Sequence, residues 1–440
     1  MRDVVITAIA GISGNGNSMR EIYTNMLQGR VARAKIFDYP RIWAGFPDTG
    51  TAHEATTDLL RPFMRDEGLV ETVCGSPLTN DALFGITALK EWSSKEKAHS
   101  YDRHQLFAHV AAKLLFDRVG GVEMVCERAE RFGIVGGTGN GGLTETYPAT
   151  LLLEQGKKLG PRANIRELPN TFVGMIANRW GIKGPGDVGV TACAASSNGF
   201  INAVRMIRLD EADAVLVIGT EAVINPFGIA SFVSQRALSN QSRPYQKDRS
   251  GFLMGEGAAA ILVESRDNAT YRGATVLAHV AGYGSTTDGN AEGAITSPDP
   301  TGGERSAKLA LEMAGIGPED LTYINTHGTG TPDGDKAELE GIRSWAGDFA
   351  KKILISSTKS FSGHLLGAAG AFELALCTMM LQEGYILPTY GLTPENVDPE
   401  LADFNHVMQT LPMFAHTKYI LSNSFGFGGA NASVILERPD

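Results

Sequence analysis

The stretch GDVGVTACAASSNGFINAVRMIRL, residues 186–209, constrains this chain more than any other part of it. Val188, Gly189 and Val190 read as the buried end of a strand. From Ala194 to Leu209 the apolar residues Phe200, Val204 and Ile207 fall on one face of a helix. Strand passes to helix through a turn of small residues, the unit from which α/β folds are built. Cys193 sits in that turn. A thiol there faces unpaired N–H groups and the positive end of the helix dipole, which favour thiolate. A free cysteine titrates near ~8.5, and such a setting lowers that by about one unit or more. Ala192, Ala194, Ala195, Ser196 and Ser197 leave room for a substrate to reach the sulfur. A buried structural cysteine would fit the same residues, so its partners must decide.

Two histidine segments supply candidate partners. In YINTHGTGTPDGDKAELEGI, Tyr323 and Ile324 end a strand, His327 opens a Gly/Thr-rich loop, and a helix starts near Asp335. In ILISSTKSFSGHLLGAAGAFELAL, strand Ile353–Ser356 leads through Lys359 and Ser362 to His364, beside Gly367, Ala368, Ala369 and Gly370. Both histidines follow the C-terminal ends of strands, where open α/β sheets gather their chemistry. One cysteine and two histidines in such positions suit a covalent acyl-transfer site.

The rest of the chain is α/β throughout. Strands are expected at Val4–Ala10, Gly133–Val135, Ala214–Ile218, Ala258–Val263, Leu277–Tyr283, Leu321–Asn325, Ile353–Ser356, Tyr419–Ser422 and Ser433–Leu436. Helices are expected near Met19–Gln28, Arg103–Phe116, Ala194–Leu209, Gly303–Met313, Asp335–Ala346 and Leu365–Gln382. A break at RDNATYR, residues 266–272, divides two α/β halves: 1–265 with the cysteine and 266–440 with both histidines. Long loops at 286–300 and 392–405 suit surface or lid roles.

VTACAASSNG, NTHGTGTPDGDKAE, SSTKSFSGHLLGAAG and SNSFGFGGAN resemble, in this order, the four signature segments of elongating β-ketoacyl-acyl carrier protein synthases of type I/II. That family belongs to the thiolase superfamily. The likeness runs from Val4 to about Glu437 and is densest after Pro185. It implies a duplicated thiolase-like fold in a five-layer α-β-α-β-α arrangement. It matches Cys193 to the nucleophile, His327 and His364 to the two histidines, and Lys359 to the lysine before the second. A second histidine rather than asparagine resembles the elongating type. Asp335 and Glu338 match the acidic pair, and Lys359 with Glu338 reads as a salt bridge pinning two loops. Thr329 and Thr331 match threonines that hydrogen-bond the pantetheine arm, and Phe427 matches the gate whose N–H completes the oxyanion hole. Asn140 of GGTGNGG, at the inner end near the dimer interface, and Phe232 would line the acyl pocket.

The implied reaction is a decarboxylative Claisen condensation. Cys193 takes an acyl group from a thioester. Malonyl-acyl carrier protein then loses carbon dioxide, and its carbanion attacks the acyl-cysteine, extending a fatty acid, polyketide or polyene. A thiolase joins thioesters without decarboxylation, but its pattern is Cys–His–Cys. A chain-length-determining subunit would lack the nucleophile. No cofactor or metal is implied, since substrates ride on the carrier's phosphopantetheine. The expected partners are acyl carrier protein and a second subunit, as a homodimer or with a ketosynthase-like chain.

Composition agrees. The net charge of −10 over 440 residues argues against general nucleic-acid binding. The cysteines at 74, 126, 193 and 377 show neither paired nor metal-ligand spacing, which suits a reducing compartment. MRDVVITAIAGIS reads as a first strand rather than a signal peptide, and no apolar run is long enough to span a membrane. The expected location is cytoplasmic. GGTGNGG and FGFGG suggest phosphate binding only superficially, lacking a Walker lysine or the full dinucleotide spacing. Residues 45–100 depart most from the family pattern; at the end of this segment and just past it Lys95, Lys97 and Arg103, with His99 near, offer positive charge for docking an acidic carrier.

Overall fold

The computed structural model describes residues 2–35, 74–76, 101–289, 295–414 and 417–439 of the chain. Eleven strands make one large mixed sheet. They are β1 (Val4–Ser13), β2 (Phe132–Gly137), β3 (Gly186–Gly189), β4 (Ala214–Glu221), β5 (Gly257–Ser265), β6 (Ala278–Thr287), β7 (Leu321–Asn325), β8 (Leu354–Ser356), β9 (Asn405–His406), β10 (Tyr419–Gly426) and β11 (Ala430–Glu437). Their spatial order is β9-β8-β7-β10-β11-β6-β1-β5-β4-β2-β3. Setting the short edge strand β9 aside, each half runs third, second, fourth, fifth, first. Strand senses repeat as well. The second strand of each half is parallel to its third and fourth, and the fourth, fifth and first are antiparallel. The halves meet at β1 and β6, which pair only through Val5 with His279 and Ile6 with Ala278. This repeated order is a duplication that the residues alone do not display.

Helices complete the layers: α1 (Met19–Leu27), α2 (Arg103–Val119), α3 (Ala195–Arg208), α4 (Pro300–Ala314), α5 (Pro332–Ala346) and α6 (Ala369–Glu383). α3 and α6 lie between the halves and touch strands of both. α2 covers the outer face of the first half, and α4, packed on α5, covers that of the second. The arrangement is α-β-α-β-α. Strand β4 shows why its apolar run is continuous. Ala214, Leu216 and Ile218 pack outward with Phe107, whereas Val215 and Val217 pack inward with Phe200 and Phe372. A strand buried on both faces has no polar alternation. α6 is buried at every position from Ala369 to Leu381, as an all-round apolar helix must be. Truncating a core phenylalanine such as Phe372 to alanine typically costs about 3–5 kcal/mol.

Several expectations are corrected. β3 is an edge strand with Gly186 and Asp187 exposed, and Val190 beyond it is 51% exposed, because the sheet ends there in a single chain. The 266–272 break is a short helix, Arg266–Tyr271, capped by Ser265, whose hydroxyl accepts the Asn268 N–H at 3.2 Å. The loop at 392–405 is no loose lid: Leu392, Val397, Leu401 and Phe404 are buried in the core of the second half. The sequence pattern also misses helices Leu143–Glu154 and Thr171–Trp180. The first carries a proline and no single apolar stripe. Most of segment 45–100 lies outside the described residues.

Candidate active site

The turn that carries Cys193 follows β3. Ala192 takes φ 47°, a left-handed conformation costly for a residue with a Cβ, and Ala192–Ala194 form one 3-10 turn ahead of α3. The strained turn places Cys193 against β10, β11 and the turn after His364, with 8% of the residue exposed. The small residues around it serve packing rather than substrate access. A Cβ on Gly137 would lie 2.4 Å from Ser196 Cα, so β2 runs directly against the helix start. Ser196 Oγ accepts the Ala371 N–H at 2.9 Å, and Ser197 Oγ lies 2.8 Å from Ser424 Oγ.

The FGFGG loop, residues 425–429, rests on this turn. A Cβ on Gly426 would sit 2.6 Å from Thr191 O and 3.2 Å from Cys193 N. The backbone N–H groups of Cys193 and Phe427 both act on the sulfur. Thiolate was the expectation from the helix terminus; the structure corrects it. Burial pushes the Cys193 thiol up to about 12, the Lys359 ammonium pulls it down, and the Glu221 carboxylate pushes it further up. Desolvation is the largest of these effects, and it favours the neutral thiol.

His327 follows β7. Its backbone N–H and that of Gly328 each donate to the Glu338 carboxylate at 2.8 Å, and Asn423 Nδ2 adds a third donor at 3.2 Å. Asp335 accepts from the N–H groups of Gly330 and Tyr245, both at 2.9 Å. Burial raises Asp335 to about 6 and Glu338 to about 7, against these donors. The two acids thus fix the shape of the His327 loop through its backbone.

His364 is fixed differently. Its N–H donates to Leu253 O at 2.7 Å, and its carbonyl accepts from Gly255 at 2.9 Å. The His327 and His364 rings stand 5.4 Å apart at 87°. Burial, and then the Lys359 charge, hold both well below the ordinary histidine range. Each is a neutral imidazole. His327 Nδ1 and both ring nitrogens of His364 have no protein partner among the described residues.

Lys359 does not bridge to Glu338. Its Nζ bonds Glu373 Oε1 on α6 at 2.5 Å, with both side chains almost fully buried. Glu373 was not expected from the sequence. The signal was present, since it is the single charge in the run GAAGAFELALCTMM.

One cavity of about 360 Å³ collects Cys193, His327, His364, Thr329, Thr331, Phe232 and Phe427. The two threonine hydroxyls are 3.0 Å apart on its wall. Phe232 packs edge-on against Phe252, 5.2 Å away, and Phe252 in turn against His364 at 5.3 Å. Residues 295–300 line the mouth, and Ile295 O accepts the gate-loop N–H of Gly428 at 2.9 Å. Asn140 is exposed in the single chain and does not line this cavity. Arg103 is no docking charge: it is buried and bonds Glu256 at 2.5 Å. Lys95, Lys97 and His99 lie outside the described residues.

Known proteins resemble this chain along most of its length. The family model of the β-ketoacyl synthase N-terminal domain matches residues 1–269, and that of the C-terminal domain matches 277–393. Among curated relatives, 3-oxoacyl-[acyl-carrier-protein] synthase 2 of Synechocystis sp. is 37% identical over 449 aligned positions, covering 99% of this chain and 98% of that one. The protein of the same name from Staphylococcus aureus (strain N315) is 36% identical over 362 residues, covering 80% of this chain and 85% of its own. A β-ketoacyl synthase from Burkholderia phymatum superposes with TM-score 0.84 at 28% identity, covering 100% of both chains. The ishigamide ketosynthase/chain length factor gives 0.82 at 26%, again over 100% of both.

Proposed function

The chain belongs to the β-ketoacyl synthase family and condenses an acyl thioester with malonyl-acyl carrier protein; we propose that Cys193 carries the acyl group while His327 and His364 serve decarboxylation. The observation that supports these roles is the single cavity shared by the three side chains, with two N–H groups at the sulfur.

Thiol and imidazoles all rest neutral, so Cys193 gives up its proton only as its bond to the acyl carbon forms. The departing carrier thiolate gains a proton, which keeps the step balanced. The N–H groups of Cys193 and Phe427 hold the tetrahedral oxyanion; one such donor is typically worth about 3–4 kcal/mol of barrier. In the second step the malonyl carboxylate leaves as carbon dioxide, and its electron pair forms an enolate on the thioester oxygen. A neutral imidazole offers one N–H donor, and the two rings together offer two to that oxygen. The nucleophilic carbon then bonds the acyl carbon, the carbon–sulfur bond breaks with its electron pair on sulfur, and the Cys193 thiolate takes a proton from solvent to return to the resting thiol. Lys359 supplies a positive field to thiolate and enolate alike. Asp335 and Glu338 hold the His327 loop. Thr329 and Thr331 take the pantetheine arm, and Phe427 gates entry.

The partners are acyl carrier protein and a second copy of the chain, in the cytoplasm. The exposed edge of β3 and the exposed apolar side chains of Leu153, Ile165 and Leu168 support a second copy covering part of this surface. Asn140 is solvent-facing in the single chain, so its place at the acyl tail depends on that copy. The ketosynthase/chain length factor likeness makes a related, non-identical subunit the other outcome of a subunit-mass measurement. On this reading residues 1–265 bring the nucleophile and 266–440 both histidines.

Incubation with a labelled acyl carrier protein, followed by peptide mass mapping, should place the label on Cys193. Cys193→Ala should lose both label and ketoacyl product while still unfolding cooperatively. A variant that still makes product would refute the assignment.

A further inference from the structure

The glycine loop GGTGNGG, residues 136–142, has no role in the reaction as derived, yet its backbone is arranged around an anion. That anion is internal, a carboxyl group that burial raises to about 7 against its backbone N–H donors, so it is charged above neutral pH. Glu221, at the end of β4 and fully buried, turns its carboxylate into the loop. Gly139 N–H donates to Glu221 Oε2 at 2.7 Å, and Thr138 Oγ1 donates to Oε1 at 3.3 Å. Gly367 N–H, from the other half of the chain, reaches the same Oε2 at 3.0 Å. The Asn140 N–H also faces the carboxylate.

Both glycines are required by space. A Cβ on Gly139 would lie 2.8 Å from Oε2, and one on Gly367 would lie 2.7 Å from Oε2 and 2.0 Å from Gly139 N. Gly367 is three residues past His364 and follows Leu366, held at φ 48°. On the other side, a Cβ on Gly139 would come 3.6 Å from the carbonyl of Ala192, the strained residue before Cys193. One carboxylate therefore joins the turn after His364 to the loop behind the nucleophile.

We propose that Glu221 is a positioning residue for condensation, its carboxylate filling the glycine-loop nest and locking the Cys193 turn against the His364 turn. The proposal rests on Cys193 being the nucleophile. Successive backbone N–H groups form such anion-binding concavities elsewhere, where the anion is a ligand. Here the chain supplies it. The charge has a second effect, since it opposes ionisation of Cys193. The titratable groups facing this carboxylate are Cys193 itself and His104 of α2, whose Nδ1 is 2.6 Å from Asp102; Lys359 acts on Cys193 from the opposite side.

The test compares full-length wild type with Glu221→Gln. Condensation kinetics and the pH midpoint of iodoacetamide alkylation at Cys193, followed by peptide mass mapping, are the readouts. The variant should lose on the order of tenfold to a hundredfold in kcat, with KM for the acyl carrier changing far less. Its alkylation midpoint should move to lower pH by about one unit, because a charge opposing the thiolate is gone. Unchanged kcat and midpoint in a folded variant would overturn the proposal. So would a lowered kcat with an unmoved midpoint and matching loss of thermal stability, which marks a merely structural carboxylate. If Glu221→Gln does not fold, Gly139→Ala carries the test. It keeps the charge but crowds the same oxygen, and wild-type kcat in that variant would overturn the proposal. Alkylation needs no turnover, so an inactive wild type would count against the nucleophile assignment alone.

Discussion

Lys359 and Glu373 form a fully buried ion pair, Nζ to Oε1 at 2.5 Å, joining the short helix before His364 to the central helix α6. Removing one partner of such a pair leaves an uncompensated charge in the core and typically costs about 3–5 kcal/mol. Glu373→Ala should therefore lose stability on that scale in urea unfolding. A loss below about 1 kcal/mol would mean Lys359 has another anchor.

The second expectation concerns the division of labour between the steps. His327→Ala and His364→Ala should each lower carbon dioxide release by about 10²–10³-fold, the typical effect of deleting one preorganised donor. Acyl labelling of Cys193 should fall far less, because the N–H groups of Cys193 and Phe427 remain in place. Separate assays of bound label and released carbon dioxide decide it. Equal loss of both would count against the assignment.

What the sequence discloses and what it hides follow a physical division. The strands around Leu321–Asn325 and Ala214–Glu221 are legible because their apolar runs are local and strong. So are the positions of Cys193 and His327, each a few residues past a strand end, whereas His364 comes eight residues past β8, beyond the short helix Lys359–Ser362. Charge partners are not legible. Lys359 could meet Glu338 or Glu373, and the choice depends on how α6 packs between the halves. The state of the thiol is hidden for a related reason. The helix terminus is visible in the residues, whereas the burial that overrides it is a property of the assembled fold. The exposure of β3 is hidden because a short strand pattern does not show whether the strand lies inside a sheet or at its edge.

The two buried histidines also make a prediction about pH. The native state keeps His327 and His364 neutral, whereas the unfolded chain takes up protons below about pH 6.5. Each histidine therefore makes stability fall as pH drops through that value, by up to about 1.4 kcal/mol per pH unit. Asp335 and Glu338 act in the opposite sense. Their raised values, about 6 and about 7, mean that their contribution is lost as pH rises through them. A difference measurement isolates the histidine. The stability gap between wild type and His364→Ala should narrow on going from about pH 7 to about pH 5. A constant gap would show that His364 is not held neutral.

The oxyanion hole can be tested without touching a side chain that does chemistry. Gly426 has no conformational need to be glycine, since its φ is not in the left-handed region. It is glycine because of space: a Cβ there would meet Thr191 O at 2.6 Å and the N atoms of Cys193 and Ala194 at 3.2 Å. All three are backbone atoms in a strained turn that cannot move aside cheaply. In Gly426→Ala the gate loop must therefore lift from the nucleophile turn, carrying the Phe427 N–H away from the sulfur. Loss of one oxyanion donor predicts a fall in kcat of about 10²–10³-fold. The cysteine itself remains, so a small alkylating reagent should still modify Cys193, and opening the gate should not slow it. Alkylation rate and kcat should thus separate in this variant. A Gly426→Ala protein that condenses at the wild-type rate would show that the Phe427 N–H does not hold the oxyanion.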